Sequence, residues 1–213
     1  FDLSGLKEGS VELDPRTLSF GKLSAFREIG LNRCSFGIQD LSVDTQRAIG
    51  RNQTIQQNLK TVEWISQCGF ETFNVDLVYG LPFQTQDRFK QTLDFVEGIG
   101  ASRVSLFSYA HLPSRNPKQK NLEEYGLPSA EEKLDLFLLA HSDLKSQGFA
   151  HIGLDTFARE DDFLFKAQQE GHLQRNFQGY TTLKDLELCS LGLSAIAQTN
   201  SAYRQNTKSL EQY

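Results

Sequence analysis

Polar side chains stand at or near the ends of several apolar runs in this chain: Glu12, Gln39 with Asp40, Asp76, Ser108 with Tyr109, and Asp155. Carboxylates at such places accept hydrogen bonds from hydroxyl or ammonium groups, and the carboxamide of Gln39 both donates and accepts. Arg51 can grip a carboxylate through two parallel N–H bonds. Asp76 lies between Val75 and Leu77, where an unpartnered charge is costly, so a partner is expected for it. A plain acid–base enzyme acting on a small anionic metabolite through Asp76 or Asp155 is one chemistry these residues allow. Each position also has an ordinary reading. A polar residue after a strand is often a turn former or a helix N-cap, Arg51 after Gly50 reads as a solvent-facing arginine, and Ile196 in Leu193-Ser194-Ala195-Ile196-Ala197 reads as core.

These residues are carried by a repeating unit of helix, glycine stop and short strand. Ile55, Leu59, Val62 and Ile65 recur at helical spacing, Gly69 offers a C-terminal cap, and Phe70 to Leu77 alternates as a strand. The next unit runs through Phe89, Leu93 and Val96 to Gly100, then Arg103 to Phe107. Ser129 and Glu132 form a capping box, Leu134, Phe137, Leu138 and Leu144 make the expected buried face, Gly148 ends the helix, and Ala150 to Leu154 reads as a strand. Upstream, Leu23 and Phe26 lead to Gly30 and a strand over 31–38. Strands alternating with helices predict an α/β fold with parallel pairing through right-handed crossovers. No glycine fingerprint of the dinucleotide-binding kind follows a strand, which favours a partial β/α barrel over a doubly wound sheet. In barrels, function gathers at the C-terminal ends of the strands.

Composition narrows the classes. A chain of 213 residues with 38% hydrophobic content can bury one sizeable core. Its net charge of -5 gives no general attraction to nucleic acid or anionic membrane. No run approaches the roughly 18 apolar residues that a membrane span needs. No signal peptide opens the chain, so a cytoplasmic protein without a nucleic-acid partner or membrane span, and monomeric, is expected. Cys34, Cys68 and Cys189 are too far apart for a local metal motif and read as reduced thiols. The absence of methionine, including at position 1, reads as a window cut from a longer protein.

Three stretches in sequence carry a resemblance: Val11-Glu12-Leu13-Asp14-Pro15-Arg16, Asn32 through Asp40, and Asp76-Leu77-Val78-Tyr79-Gly80-Leu81-Pro82. In order and spacing they are similar to the middle of the coproporphyrinogen-type radical S-adenosylmethionine (SAM) proteins, and the likeness extends over essentially the whole chain. Tyr109-Ala110-His111-Leu112-Pro113 and Arg175 to Thr182 resemble stretches typical of the oxygen-independent coproporphyrinogen III oxidases and typically lacking in their haem-chaperone relatives. One departure stands out: Leu154-Asp155-Thr156 occupies the place of the family's Met-Asp-His, which puts any role for that histidine in doubt here.

The resemblance implies a barrel of radical SAM type, two SAM molecules and a [4Fe–4S] cluster held by a C-x-x-x-C-x-x-C loop. That loop is not in this sequence, so the cluster's ligands would lie outside it and the chain would begin near the third strand, catalytically inactive alone. The window would span the barrel over 1–213, lead from about residue 180 toward a further C-terminal domain, and dissolve poorly because of an open sheet edge. The resemblance places Glu12, Gln39, Arg51, Asp76, Ala110 and Ile196 at the family's SAM contacts. Arg33, His111, Arg159, Arg175 and Tyr180 are candidates to meet a substrate with four carboxylates. The implied reaction uses an electron from an unidentified donor to cleave SAM, and the resulting 5′-deoxyadenosyl radical abstracts hydrogen from a propionate of coproporphyrinogen III. Two propionates become vinyl groups, giving protoporphyrinogen IX. The alternative within the resemblance is a haem-chaperone-like protein that binds haem without this conversion.

Overall fold

A computed structural model describes residues 5–213, and the chain divides into a first compact unit ending at Arg159 and a second beginning at Glu160. The first unit runs β1(Ser10–Leu13), α1(Phe20–Glu28), β2(Arg33–Gln39), α2(Val43–Ala48), α3(Ile55–Gln67), β3(Phe73–Tyr79), α4(Gln86–Gly98) and β4(Arg103–Ser108). A 3₁₀ turn, Pro117–Gln119, leads to α5(Lys120–Glu123), followed by α6(Ala130–Ser146), β5(Phe149–Gly153) and β6(Thr156–Arg159).

Local chemistry starts and stops these elements. Thr54 with Gln57 and Ser129 with Glu132 form capping boxes on α3 and α6, the second as expected from the sequence. After α3, Gly69 takes a φ of 77°; its N–H reaches the Ser66 carbonyl at 3.0 Å, and that of Phe70 reaches Ile65 at 3.1 Å. The same closure follows α1 at Gly30 and Leu31, and glycine serves there because a Cβ is strained at positive φ.

The six strands lie in the order β1-β2-β3-β4-β6-β5. The first four pair in parallel, and β6 is antiparallel to both β4 and β5. The sheet is thus mostly parallel, as expected, but its last two strands depart from the predicted alternation. Only Leu154 and Asp155 separate β5 from β6, and so short a link can join only antiparallel strands. Asp155 is therefore a hairpin-turn residue whose carbonyl accepts the Leu106 N–H at 2.7 Å, not the end of a parallel strand.

One face of the sheet is apolar. Cys34, Phe36, Val75, Leu77, Val104, Leu106 and Phe157 form the core with Leu23 of α1, Ile65 of α3, Phe89, Leu93 and Val96 of α4, and Leu136, Ala140 and Leu144 of α6. The α4 face is as the sequence predicts. On α3 and α6 the expected stripes hold in part: Ile65 and Leu144 are in the core with Val62 and Phe137 packed against it, but Ile55, Leu59, Leu134 and Leu138 are exposed, while Asn58, Thr61, Leu136 and Ala140 are buried. Asn58, Thr61 and Ala140 are smaller than the leucines left outside, and close packing selects by volume as well as by hydropathy.

Alternation along the strands turns a different set to the opposite face: Ser35, Asn74, Asp76 and Ser105, each half-buried, and Glu12, which is exposed. Parallel sheets are usually apolar on both faces. A polar second face marks the side on which a partial barrel keeps its chemistry.

The second unit holds α7(Phe163–Gln169), a hairpin of β7(Gln174–Asn176) and β8(Gly179–Thr181), and an antiparallel pair of β9(Ile196–Gln198) and β10(Tyr203–Gln205). Asp162 caps α7 by accepting the Leu164 N–H at 2.7 Å. Asn176 accepts the N–H groups of Gln178 and Gly179 at 2.9 and 3.2 Å, which forms the β7–β8 turn. Among the described residues no helix is long and apolar enough to cross a membrane.

Candidate cofactor site on the polar face of the sheet

Gln39 ends β2 in a conformation the sequence does not announce. Its φ is 66°, and the Asp40 N–H returns to the Ile38 carbonyl at 2.8 Å, closing a γ-turn of positive φ around it. Such turns are rare and strained, and persist only where the surroundings hold them. Here the flanking groups are tied down. The Gly37 carbonyl accepts Arg51 Nη2 at 2.8 Å and Gln53 Nε2 at 3.0 Å. Beyond the turn, the Asp40 carbonyl accepts Gln46 Nε2 at 2.8 Å, and its carboxylate accepts the Ser42 N–H at 2.6 Å and Gln84 Nε2 at 2.7 Å. Asp40 is fully buried, and desolvation raises its pKa against the opposing effect of those donors.

Gly37 makes room at this place for two side chains. A Cβ there would stand 2.2 Å from Gln39 Nε2 and 3.0 Å from Arg51 Nη2, so the two ligand-competent side chains lie folded over the bare Cα. Arg51 is not the solvent-facing arginine of its ordinary reading. Its side chain is 17% exposed, its Nε donates to Gln53 Oε1 at 3.1 Å, and its Nη2 is 3.9 Å from Asp14. Burial lowers its pKa, partly offset by Asp14 and Asp76. Asp14 itself is held at about 2, chiefly by its hydrogen bond with Arg16. Nε and Nη2 are thus taken, and Nη1 has no acceptor among the described residues.

Asp76 has the partner its apolar setting demands. Asn74 Nδ2 donates to it at 2.7 Å and the Ser35 hydroxyl at 3.3 Å. These donors do not fully compensate: burial first, then the charge of Glu12, pushes the Asp76 pKa up to about 6. The position expected for Asp76 is corrected, because β3 runs on to Tyr79 and the carboxylate sits mid-strand. Glu12, one residue before the end of β1, faces the same side through Ser35 and Gly37. The structure therefore brings Glu12, Gln39, Arg51 and Asp76 together. Sequence reasoning missed Gly37, Gln46, Gln53 and Gln84; only a run of glutamines after β2 hinted at them.

Beyond β4 the chain forms a tied strap. Tyr109 Oη lies 3.1 Å from His111 Nδ1, and His111 Nε2 lies 2.9 Å from Glu123. Lys133 donates to the Tyr109 carbonyl at 2.9 Å, its stem crossing Gly80. Ala110 is exposed, with its carbonyl taken by Gln119 at 3.0 Å.

Two arginines stand elsewhere. Arg33 starts β2, at the opposite end from Gln39, and pairs with Glu8. Arg159 donates to the carbonyls of Ala101 and Gln147 at 3.1 and 3.2 Å and stacks on Phe149, so its expected role toward a substrate gives way to a structural one. In the second unit, Arg175 lies over the Tyr180 ring at 5.7 Å across the β7–β8 pair, and Ile196 opens β9 half-buried.

The residues suit a ligand that carries hydroxyl, ammonium and carboxylate groups better than a metal cluster. Carboxylates, a carboxamide and a free guanidinium nitrogen converge on one polar face, with room kept by a glycine. Among the described residues no three metal-ligating side chains gather. Cys34 is buried, and desolvation pushes its thiol up to about 12, far from the thiolate an iron centre requires.

Comparison with known proteins shows what the chain is similar to. Residues 6–96 match the model of the radical SAM superfamily. The oxygen-independent coproporphyrinogen III oxidase of Escherichia coli is 41% identical over 213 residues, all of this chain and 47% of the relative. That of Pseudomonas aeruginosa is 41% identical over 203 residues, 95% of this chain and 44% of the relative. A solved structure of coproporphyrinogen III oxidase (HemN) from Escherichia coli, described as a radical SAM enzyme, superposes with a TM-score of 0.89 at 42% identity. It does so over 97% of this chain and 48% of that one. This chain is thus similar to radical SAM proteins, through the domain match over residues 6–96 and along nearly its whole length to these oxidases. The superfamily implies SAM and a [4Fe–4S] cluster as its cofactors. The chain spans about half the length of the curated relatives it matches.

Proposed function

We propose that this chain forms the SAM-binding wall and part of the substrate-facing surface of an oxygen-independent coproporphyrinogen III oxidase. The observation that carries the reading is the superposition, at 42% identity over 97% of the chain, on an enzyme of that name. The site is consistent with it: Arg51 and Asp76 are held by neighbours that leave donor and acceptor atoms unspent, and Gln39 and Glu12 lie beside them.

When bound, SAM with its reduced cluster supplies hydrogen-atom abstraction, and the cluster is held by residues outside this chain. The residues here bind and orient. Asp76 and Glu12 accept hydrogen bonds from ribose hydroxyls or from the ammonium group, Gln39 donates and accepts at the strand end, and Nη1 of Arg51 meets the carboxylate. The backbone of Ala110 lines the strap. His111, tethered between Tyr109 and Glu123, faces the porphyrinogen side of the reading. Arg33 is spent on Glu8, and it is left out of the propionate contacts. The overall change removes one hydrogen atom, one carbon dioxide and one electron from each of two propionates of coproporphyrinogen III, leaving two vinyl groups, with reducing and accepting partners unassigned. On this reading the parent enzyme binds two SAM molecules, and Glu12, Gln39, Arg51 and Asp76 are among their contacts.

The test is turnover by the full-length enzyme, reconstituted without oxygen. Conversion of coproporphyrinogen III with formation of 5′-deoxyadenosine, lost in Gln39→Ala and Asp76→Ala, supports the reading. Haem binding without conversion moves the protein to the chaperone branch.

A further inference from the structure

Gln53 is 4% exposed and lies at the centre of the polar network behind the site. Its Oε1 accepts Arg51 Nε at 3.1 Å, and its Nε2 donates to the Gly37 carbonyl at 3.0 Å and to Asn58 Oδ1. Its own N–H donates to Gln46 Oε1 at 3.0 Å, and Gln46 in turn holds the Asp40 carbonyl. One residue thus links, by its side chain, the guanidinium of Arg51 and the carbonyl before the strained Gln39 turn, and, by its backbone N–H through Gln46, the residue after it.

We infer that Gln53 is a positioning residue for the SAM carboxylate: it fixes the rotamer of Arg51 so that Nη1 points at the ligand. The inference rests on the functional reading above, since it presumes that Arg51 meets SAM. Its physical basis is preorganisation. An arginine loses rotamer freedom on binding a carboxylate, and a partner that removes this freedom beforehand leaves more of the interaction for affinity. A carboxamide is suited to the task because its oxygen takes the cation while its nitrogen serves a backbone carbonyl. An aliphatic side chain of equal length fills the space and does neither. Gln53 touches no ligand on this reading, so its effect must pass through Arg51.

The experiment uses the full-length, cluster-reconstituted enzyme and measures equilibrium binding of SAM and of 5′-methylthioadenosine, which lacks the amino-acid carboxylate. Gln53→Met should raise the SAM dissociation constant about tenfold, the loss of one charge-assisted contact. It should change that of 5′-methylthioadenosine less than twofold, and in an Arg51→Ala background it should have less than a twofold effect on SAM. Gln53→Asn, which retains a polar amide but falls a methylene short, should give the same pattern and serves if the methionine variant is insoluble. Equal weakening of both ligands, an effect that persists without Arg51, or no effect beyond a lowered Tm overturns the inference. The two readings fail separately: if wild type binds SAM and Arg51→Ala weakens it while Gln53→Met does not, only the positioning role falls. If Arg51→Ala leaves SAM binding unchanged, the site assignment falls with it.

Discussion

Asp76→Asn should stabilise the protein at neutral pH while impairing its site. In the folded chain the Asp76 carboxyl has been moved from its ordinary 3.8 to about 6, mainly by burial and then by the charge of Glu12. Between those values the folded state holds a proton that the unfolded state has released, so stability falls as pH rises through the window. At 1.36 kcal/mol per pH unit, the charged carboxylate makes the folded state less stable at pH 7.5 by up to about 3 kcal/mol relative to acid. The amide removes that charge at nearly the same volume and still accepts from Asn74. The expected gain at pH 7.5 is roughly 2 kcal/mol, because the amide remains a buried polar group with one donor to place. It should shrink toward zero by pH 4, where wild-type Asp76 is also neutral. Denaturant titrations of both forms at a series of pH values, without SAM, read this directly. A variant less stable than wild type at pH 7.5, or a difference independent of pH, refutes the argument that desolvation outweighs the hydrogen bonds from Asn74 and Ser35. The same logic gives a ligand signature: a group that donates to Asp76 prefers the carboxylate, so SAM affinity should weaken as pH falls below about 6.

Other substitutions separate site from scaffold. Gly37→Ala places a methyl 2.2 Å from Gln39 Nε2, but the obstructing atoms are side-chain ends, so the fold should lose only about 1 kcal/mol. SAM binding should fall tenfold or more in equilibrium dialysis, and unchanged binding would show that Gln39 and Arg51 need not lie as they do. Leu93→Ala, at a fully buried position of α4, should destabilise by about 2–5 kcal/mol in denaturant titration without altering the affinity of the folded fraction for SAM.

Much of the scaffold was legible because its signals are local. The capping box at Ser129 and Glu132 and the glycine closure after α3 depend on residues within a few positions of each other, and both formed as expected. The stripe on α4 was legible because Phe89, Leu93 and Val96 are both apolar and large. The same reasoning misplaced part of the buried faces of α3 and α6, where Thr61 and Ala140 are buried and Leu59, Leu134 and Leu138 lie outside. Hydropathy ranks side chains by transfer free energy, whereas a close helix–sheet contact selects by volume. The β5–β6 hairpin was missed because helix-strand alternation was extended past the point where a two-residue link forbids it.

By itself the sequence determined the α/β alternation, the strand that ends at Gln39, and the need of Asp76 for a partner, since each follows from periodicity or from the cost of burying a charge. The resemblance, also read from sequence, supplied the site residues as a set. Only the tertiary structure decided that Gln39 sits in a strained γ-turn, that Arg51 is turned inward by Gln53 and the Gly37 carbonyl, and that Asp76 lies mid-strand beside Glu12's charge. These are relations between residues separated by strands and crossovers. Which carbonyl an arginine meets, and how far a carboxyl is removed from water, are set by packing among elements distant in the chain.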